Sequence, residues 1–261
     1  MTVANAATNS AAKDHVKAIV FDVFGTVVDW RGSVIRELAS FGAGKGFSAN
    51  WDQMADDWRG LYQPSMQEVR SGKRPFAILD ELHRESLHKV LAKHGIPPLE
   101  PHEIEHLVSI WHRLHAWPDM ASGLARLNTR VITGTLSNGN IGLMTRLTKF
   151  NALPFDVILG AEASRAYKPQ PEAYLRTADM LNLKPEQMML AAAHNDDLQA
   201  ARAVGFRTGF ILRPDEHGPN KVKDLRAEEA WDVVTDSCHG LADAMGCQRM
   251  DGRGSRWKGR G

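Results

Sequence analysis

The chain has 261 residues, 43% of them hydrophobic and 24% charged, with 32 Lys and Arg against 31 Asp and Glu and a formal net charge of +1. These values describe an ordinary globular protein, long enough for a large core, with no excess of base that would call for a nucleic-acid partner. No apolar run approaches the roughly 20 residues that cross a bilayer, and the opening residues lack the basic start and apolar stretch of a secretory signal. No membrane partner is therefore expected, and a cytoplasmic location is. Two cysteines nine residues apart, Cys238 and Cys247, form no metal motif and agree with a reducing compartment.

Residues 1–14 read as a flexible arm. The run Ala18-Ile-Val-Phe21 then ends on Asp22, and its apolar side chains predict a strand buried on both faces of a parallel sheet. From about Arg31 to Trp117 no strand-like run occurs. Val34, Ile35, Leu38 and Phe41 recur at helical spacing, as do Ile78, Leu82, Leu87, Val90 and Leu91, then Ile104, Leu107, Val108 and Trp111. Strands and helices alternate afterwards. Strands are predicted over 130–136, 155–159, 188–193 and 208–212, with a short one at Val233-Val234, and helices over 141–150, 172–181 and 197–204. Repeated β–α units predict an α/β fold with a doubly wound, Rossmann-like parallel sheet. The domain reading is a core of residues 15–30 and 116–246, a helical cap of 31–115 inserted after the first strand, and a basic, flexible tail of 247–261.

In open parallel sheets, ligands bind beyond the carboxyl ends of the strands. Asp22, Thr26, Ser137, Asn138, Lys168, His194, Asn195, Asp196 and Asp197 all fall at such ends or in the loops after them. Each has a plain structural reading: Thr26 and Asp22 as turn residues, Ser137, Asn138 and Asp197 as helix caps, Lys168 as a solvated loop residue. Their coincidence on one edge points to a site.

The set Asp22-Val-Phe-Gly-Thr26, Leu136-Ser137-Asn138, Lys168-Pro169 with Tyr174 six residues after the lysine, and Asp196-Asp197 resembles the haloacid dehalogenase superfamily over roughly residues 15 to 215. Phosphatases of that superfamily carry a second acid two residues after the nucleophile and a Gly-Asp before the last acid, for a magnesium ion. Here those places hold Phe24 and Ala192-Ala193. Phe24 cannot protonate a leaving alcohol, and Ala193 cannot ligate a metal. A leaving halide needs no proton, and the L-2-haloacid dehalogenase branch typically has an aromatic residue at the Phe24 position and uses no metal or cofactor.

That resemblance implies hydrolysis of a short halogenated carboxylate to a 2-hydroxy acid through an aspartyl ester. Asp22 would be the nucleophile, Thr26 and Lys168 would hold it ionised, and Asp197 would orient or activate the hydrolytic water. Ser137, Asn138 and Asn195 would bind substrate, Tyr174 would support the lysine, and Arg59, in a Trp-Arg pair, would receive the anion from the cap. Trp58 reads as cap core. His194 and Ala192 depart from the Asn and Ser usual there, so His194 reads as a donor to substrate or intermediate, and Asp196 either as a perturber of Asp197 or as a helix-start acid. A homodimer is a possible assembly. The competing readings are a magnesium-dependent phosphatase of the same superfamily and a non-catalytic binding protein on this fold.

Overall fold

The computed structural model describes residues 15–218 and 223–248. The arm of residues 1–14 and the tail beyond Gln248 lie outside the described residues.

Strand β1 (Ala18–Phe21) is buried along its whole length. It leads through Asp22 and a turn into the two-residue strand β2 (Val28–Asp29) and helix α1 (Trp30–Lys45). Asp29 starts α1 by accepting from the Gly32 N–H at 2.8 Å, and Gly46, at φ 75°, ends it in the left-handed conformation. Helices α2 (Trp51–Gly60), α3 (Tyr62–Arg70), α4 (Leu79–Lys93) and α5 (Pro101–Val108) follow, then a 3-10 turn over Ser109–His112. Trp30, Trp58 and Trp111 are fully buried among them.

The chain re-enters the sheet layer through β3 (His115–Ala116), which pairs antiparallel with β2. This pair corrects the expectation of no strand between 31 and 117. With two residues on each side, it is too short to leave an alternating pattern. Helix α6 (Met120–Leu127) precedes β4 (Ile132–Ser137), α7 (Ile141–Phe150), β5 (Val157–Gly160) and the short α8 (Ala161–Ser164). Then come α9 (Pro171–Met180), β6 (Met188–Ala192), α10 (Asn195–Ala203), β7 (Arg207–Ile211), β8 (Val233–Thr235) and α11 (Cys238–Ala244).

Six strands form one parallel sheet in the order β5-β4-β1-β6-β7-β8. Alternate residues of β1 serve opposite faces: Ile19 and Phe21 join the core shared with the inserted helices, while Ala18 and Val20 join the one containing Tyr174 and Leu198. β1 is central, so its carboxyl end lies between those of β4 and β6. Three hydrogen bonds clasp the helical segment to the sheet edge: Arg70 Nη1 to Lys168 O at 2.9 Å, Tyr167 Oη to Ala77 O at 2.7 Å, and Asn140 Nδ2 to Asp80 Oδ2 at 3.0 Å. Ordered chain extends past the expected tail boundary. Cys247 is buried, its N–H donates to Ala242 O at 2.9 Å, and Arg126 donates to its carbonyl at 3.0 Å and to that of Gln248 at 3.2 Å. Among the described residues no helix is long and apolar enough to cross a membrane.

Candidate active site

Asp22 sits one residue beyond β1, where its backbone N–H still donates to Ala191 O at 3.1 Å. The turn that follows is closed by Val27 N–H and Val28 N–H on Val23 O. It returns the Thr26 hydroxyl to Asp22 Oδ2 at 2.8 Å. The same hydroxyl accepts from the Ala193 N–H at 2.8 Å, so one buried oxygen ties the end of β1 to the end of β6. Asp22 Oδ1 takes the Lys168 ammonium at 2.8 Å, and Oδ2 lies 3.1 Å from His194 Nδ1.

Lys168 also pairs closely with Asp197, whose other oxygen accepts the Tyr174 hydroxyl at 2.6 Å. All six side chains are buried or nearly so. Burial works against ionising Asp22, but Lys168 and then His194 outweigh it and hold the carboxyl well below the usual carboxylate range. Burial would also discharge Lys168, yet Asp197 and Asp22 raise its pKa above the ordinary lysine value. Asp197 moves the other way. Burial, helped by the nearby Asp22 charge, lifts its pKa against the pull of Lys168. Asp196 instead accepts from the Asp197 N–H at 2.8 Å, the position of a helix-start acid.

His194, between β6 and α10, bridges two carboxylates. Its Nε2 lies 3.0 and 3.1 Å from the two oxygens of Glu216, a residue with 0% exposure. Burial disfavours the imidazolium, but Glu216 and Asp22 together raise the His194 pKa well above its ordinary value. Trp30 Nε1 donates to Glu216 at 3.3 Å. Glu216 reaches this place because residue 25 is glycine at φ 92°, where a Cβ would stand 2.1 Å from Glu216 Oε1. Sequence reasoning missed Glu216, since nothing in Pro214-Asp215-Glu216 separates it from an ordinary polar loop.

A cavity of about 410 Å³ opens over this network and is lined by Arg59, Asn138, Lys168, His194 and Asp197, among others. Asn138 Oδ1 accepts the Lys168 N–H at 2.9 Å, and its Nδ2 has no protein partner among the described residues. The Ser137 hydroxyl, at the end of β4, accepts from Gly139 N–H at 3.0 Å. Arg59, on α2, stands in an aromatic cage, its guanidinium carbon 3.9 Å from the Tyr62 ring centre, 5.3 Å from Trp30 and 5.9 Å from Phe24. It makes no ion pair among the described residues, and its Nη1 is buried without a hydrogen-bond partner. Phe24 meets Tyr62 and Trp111 edge-on, at 6.1 and 5.7 Å. Trp58 is core, with its Nε1 donating to His83 O at 3.2 Å.

Asn195 does not join the group. Its N–H and Nδ2 donate to Asp224, and its Oδ1 accepts from Glu228 N–H and Trp231 Nε1. That side chain holds the 224–231 segment, and every polar atom it has is spent on the fold.

A magnesium ion needs oxygen ligands around Asp22. The groups present there are an ammonium, an imidazole and a hydroxyl that donates, with Phe24 and Ala193 where the phosphatase acids would stand. These residues do not fit that ion.

A nucleophile-sized carboxylate at the end of a central parallel strand, set under an inserted helical segment, defines a hydrolase of the haloacid dehalogenase type. The chain belongs to the haloacid dehalogenase-like hydrolase family, whose model matches residues 16–205. Within that family it lies in the L-2-haloacid dehalogenase branch. The solved structure of a defluorinating L-2-haloacid dehalogenase is 45% identical, over 89% of this chain and 96% of that one, with a TM-score of 0.87. A second L-2-haloacid dehalogenase structure is 40% identical, over 88% and 99%, with a TM-score of 0.86. The (S)-2-haloacid dehalogenase 4A of Burkholderia cepacia is 28% identical over 230 residues, 85% of this chain and 96% of that protein.

Proposed function

We propose that this chain hydrolyses short 2-haloacids to 2-hydroxy acids without a metal, through an ester on Asp22. The observation that carries this reading is Arg59, a cation with no carboxylate partner among the described residues and a buried N–H left unpaired, on the same cavity as Lys168 and Asp197. An anion completes it, and the departing halide is such an anion. The aromatic cage around it encloses the apolar carbon–halogen bond, and the residues from Trp30 to His112 act as the cap.

In the first step an Asp22 oxygen attacks C2, the carbon–halogen bond breaks and the halide leaves with its electron pair. Lys168 and Thr26 keep Asp22 ionised and aimed, while Ser137 and the Asn138 amide bind the substrate carboxylate. Ester formation removes the Asp22 charge. His194 thereby loses one of the two anions that hold it protonated and can release a proton through the cavity. The neutral ring, oriented by Glu216, then takes a proton from the water that attacks the ester carbonyl. It gives that proton to the departing oxygen as the bond between that oxygen and the carbonyl carbon breaks, which releases the 2-hydroxy acid and restores the Asp22 carboxylate. Asp197 has both oxygens engaged by Lys168 and Tyr174, so we assign it to holding the lysine, and the water to His194 and Glu216.

The similarity to a defluorinating relative supports extending the substrate range to fluoroacetate. Cys238 and Cys247, both unbridged and buried, support a reducing, cytoplasmic setting, and the dimeric habit of the branch supports a homodimer, to be checked by light scattering. The deciding assay is halide release from chloroacetate, fluoroacetate and both 2-chloropropionate enantiomers, with and without EDTA. Release unaffected by EDTA is expected. Cleavage of phosphate esters only with added magnesium, and none of haloacids, would overturn the proposal.

A further inference from the structure

His194, Glu216 and His217 offer three ligand atoms that lie within 4.8 Å of one another. Glu216 Oε1 is 3.0 Å from His194 Nε2 and 3.3 Å from His217 Nε2. Two ligands bound at about 2.0–2.1 Å to one tetrahedral zinc ion are separated by roughly 3.3 Å, so these spacings already match those of a ligand set. Two imidazoles and one carboxylate suit a borderline transition ion, whereas magnesium and calcium prefer all-oxygen sets. All three residues line the same cavity, which leaves a further coordination position open to water.

The surroundings have the form of a metal centre's outer layer. Trp30 Nε1 donates to Glu216 at 3.3 Å and fixes the carboxylate. His194 turns Nε2 toward the cluster while its Nδ1 lies 3.1 Å from the Asp22 carboxylate, the carboxylate–histidine–metal arrangement that fixes ring tautomer and orientation.

We propose that His194, Glu216 and His217 bind one divalent transition ion of the zinc class, and that its occupancy switches turnover off. Binding releases the protons these nitrogens otherwise share with Glu216. It takes the Nε2 of His194 and ties Asp22 to the ion through the same ring, so neither nucleophile nor base is left in its working state. The inhibitory consequence rests on the dehalogenase reading above. The binding itself does not.

The test uses EDTA-treated full-length protein titrated with Co²⁺, followed by the visible absorption of the bound ion. One Co²⁺ per chain, displaced by Zn²⁺, is expected. His217→Gln should weaken binding by about 10- to 100-fold or more, and His217→Asp, which restores an oxygen ligand, should recover most of it. Metal-free chloride release by His217→Gln should stay within about threefold of wild type, but resist Zn²⁺ concentrations that silence the wild-type enzyme. Absence of a Co²⁺ spectrum, or equal binding by His217→Gln, would sink the site. Equal Zn²⁺ inhibition of both proteins would sink its link to turnover. A chain inactive toward every haloacid would still answer the binding question by its spectrum.

Discussion

The sheet edge and the inserted helices present opposite polar arrangements to one cavity. At the sheet edge Asp22, Thr26, Lys168, Asp197, Tyr174, His194 and Glu216 form a connected network in which each group has a partner. On the helical side three buried polar atoms, Arg59 Nη1, His83 Nε2 and Trp111 Nε1, have none. Aromatic rings surround them, with His83 stacked on Trp111 at 4.1 Å and Tyr62 between Arg59 and His83. An unpaired buried donor costs roughly 1–3 kcal/mol, so the helical side carries a standing penalty, and at Arg59, which alone of the three lines the cavity, the proposed anion would relieve it. One region is internally satisfied, and under the proposed function the other is completed by the substrate's anion.

Five variants sharpen or break that contrast. Removing the nucleophile by Asp22→Ala should have the largest effect, a loss of halide release of about a thousandfold or more by ion chromatography. Glu216→Gln should lower kcat by about 10²- to 10⁴-fold while preserving a first-turnover burst of halide. Intact-mass measurement should then find the protein carrying the acid fragment as an ester, and a variant showing no such mass would return the water to Asp197.

Arg59→Leu should lower kcat/KM by about 10²- to 10³-fold, yet leave unfolding stability unchanged or higher, because it removes a buried charge that has no ion-pair partner. Lys168→Met is the counterpart. It strands Asp22 and Asp197 and should cost about 3–5 kcal/mol in denaturant unfolding as well as activity. Equal stability losses in the two variants would erase the distinction between the regions.

The smallest effect concerns His83. Burial, then the Arg59 charge, pushes its pKa down to about 3, so it is neutral in the folded protein while the unfolded chain takes up a proton near pH 6.5. Its contribution is complete above pH 6.5 and is lost as pH falls toward 3, at up to about 1.4 kcal/mol per unit. His83→Gln should flatten the decline in denaturant midpoint between pH 6.5 and 5 without altering the pH profile of turnover.

The fold was legible where apolar runs are long. β1, β4, β6 and β7 announce themselves, and so does the helical texture from 31 to 112, because burial on two faces and on one stripe leave different periodicities. Two-residue strands leave none, which hides the β2–β3 pair. At the site, Asp22, Thr26, Asn138, Lys168, Tyr174, His194 and Asp197 share a sheet edge that topology makes predictable. Asn195 follows His194 directly, but the side chains at a strand-to-helix junction turn in different directions and adjacency cannot say which faces inward. Glu216 is invisible for another reason: it lies in a loop after β7, and only tertiary packing against Gly25, Trp30 and His194 brings it to the site.

That contact at Gly25 has a kinetic meaning. A methyl group there, as in Gly25→Ala, collides with Glu216, the partner of His194, and leaves Asp22 its contacts with Lys168 and Thr26. By the mechanism proposed above, such a chain would keep the means to be alkylated and lose the means to be released. Under the proposed mechanism, a carbon atom that residue 25 does not have would turn a cycling catalyst into one that fires once.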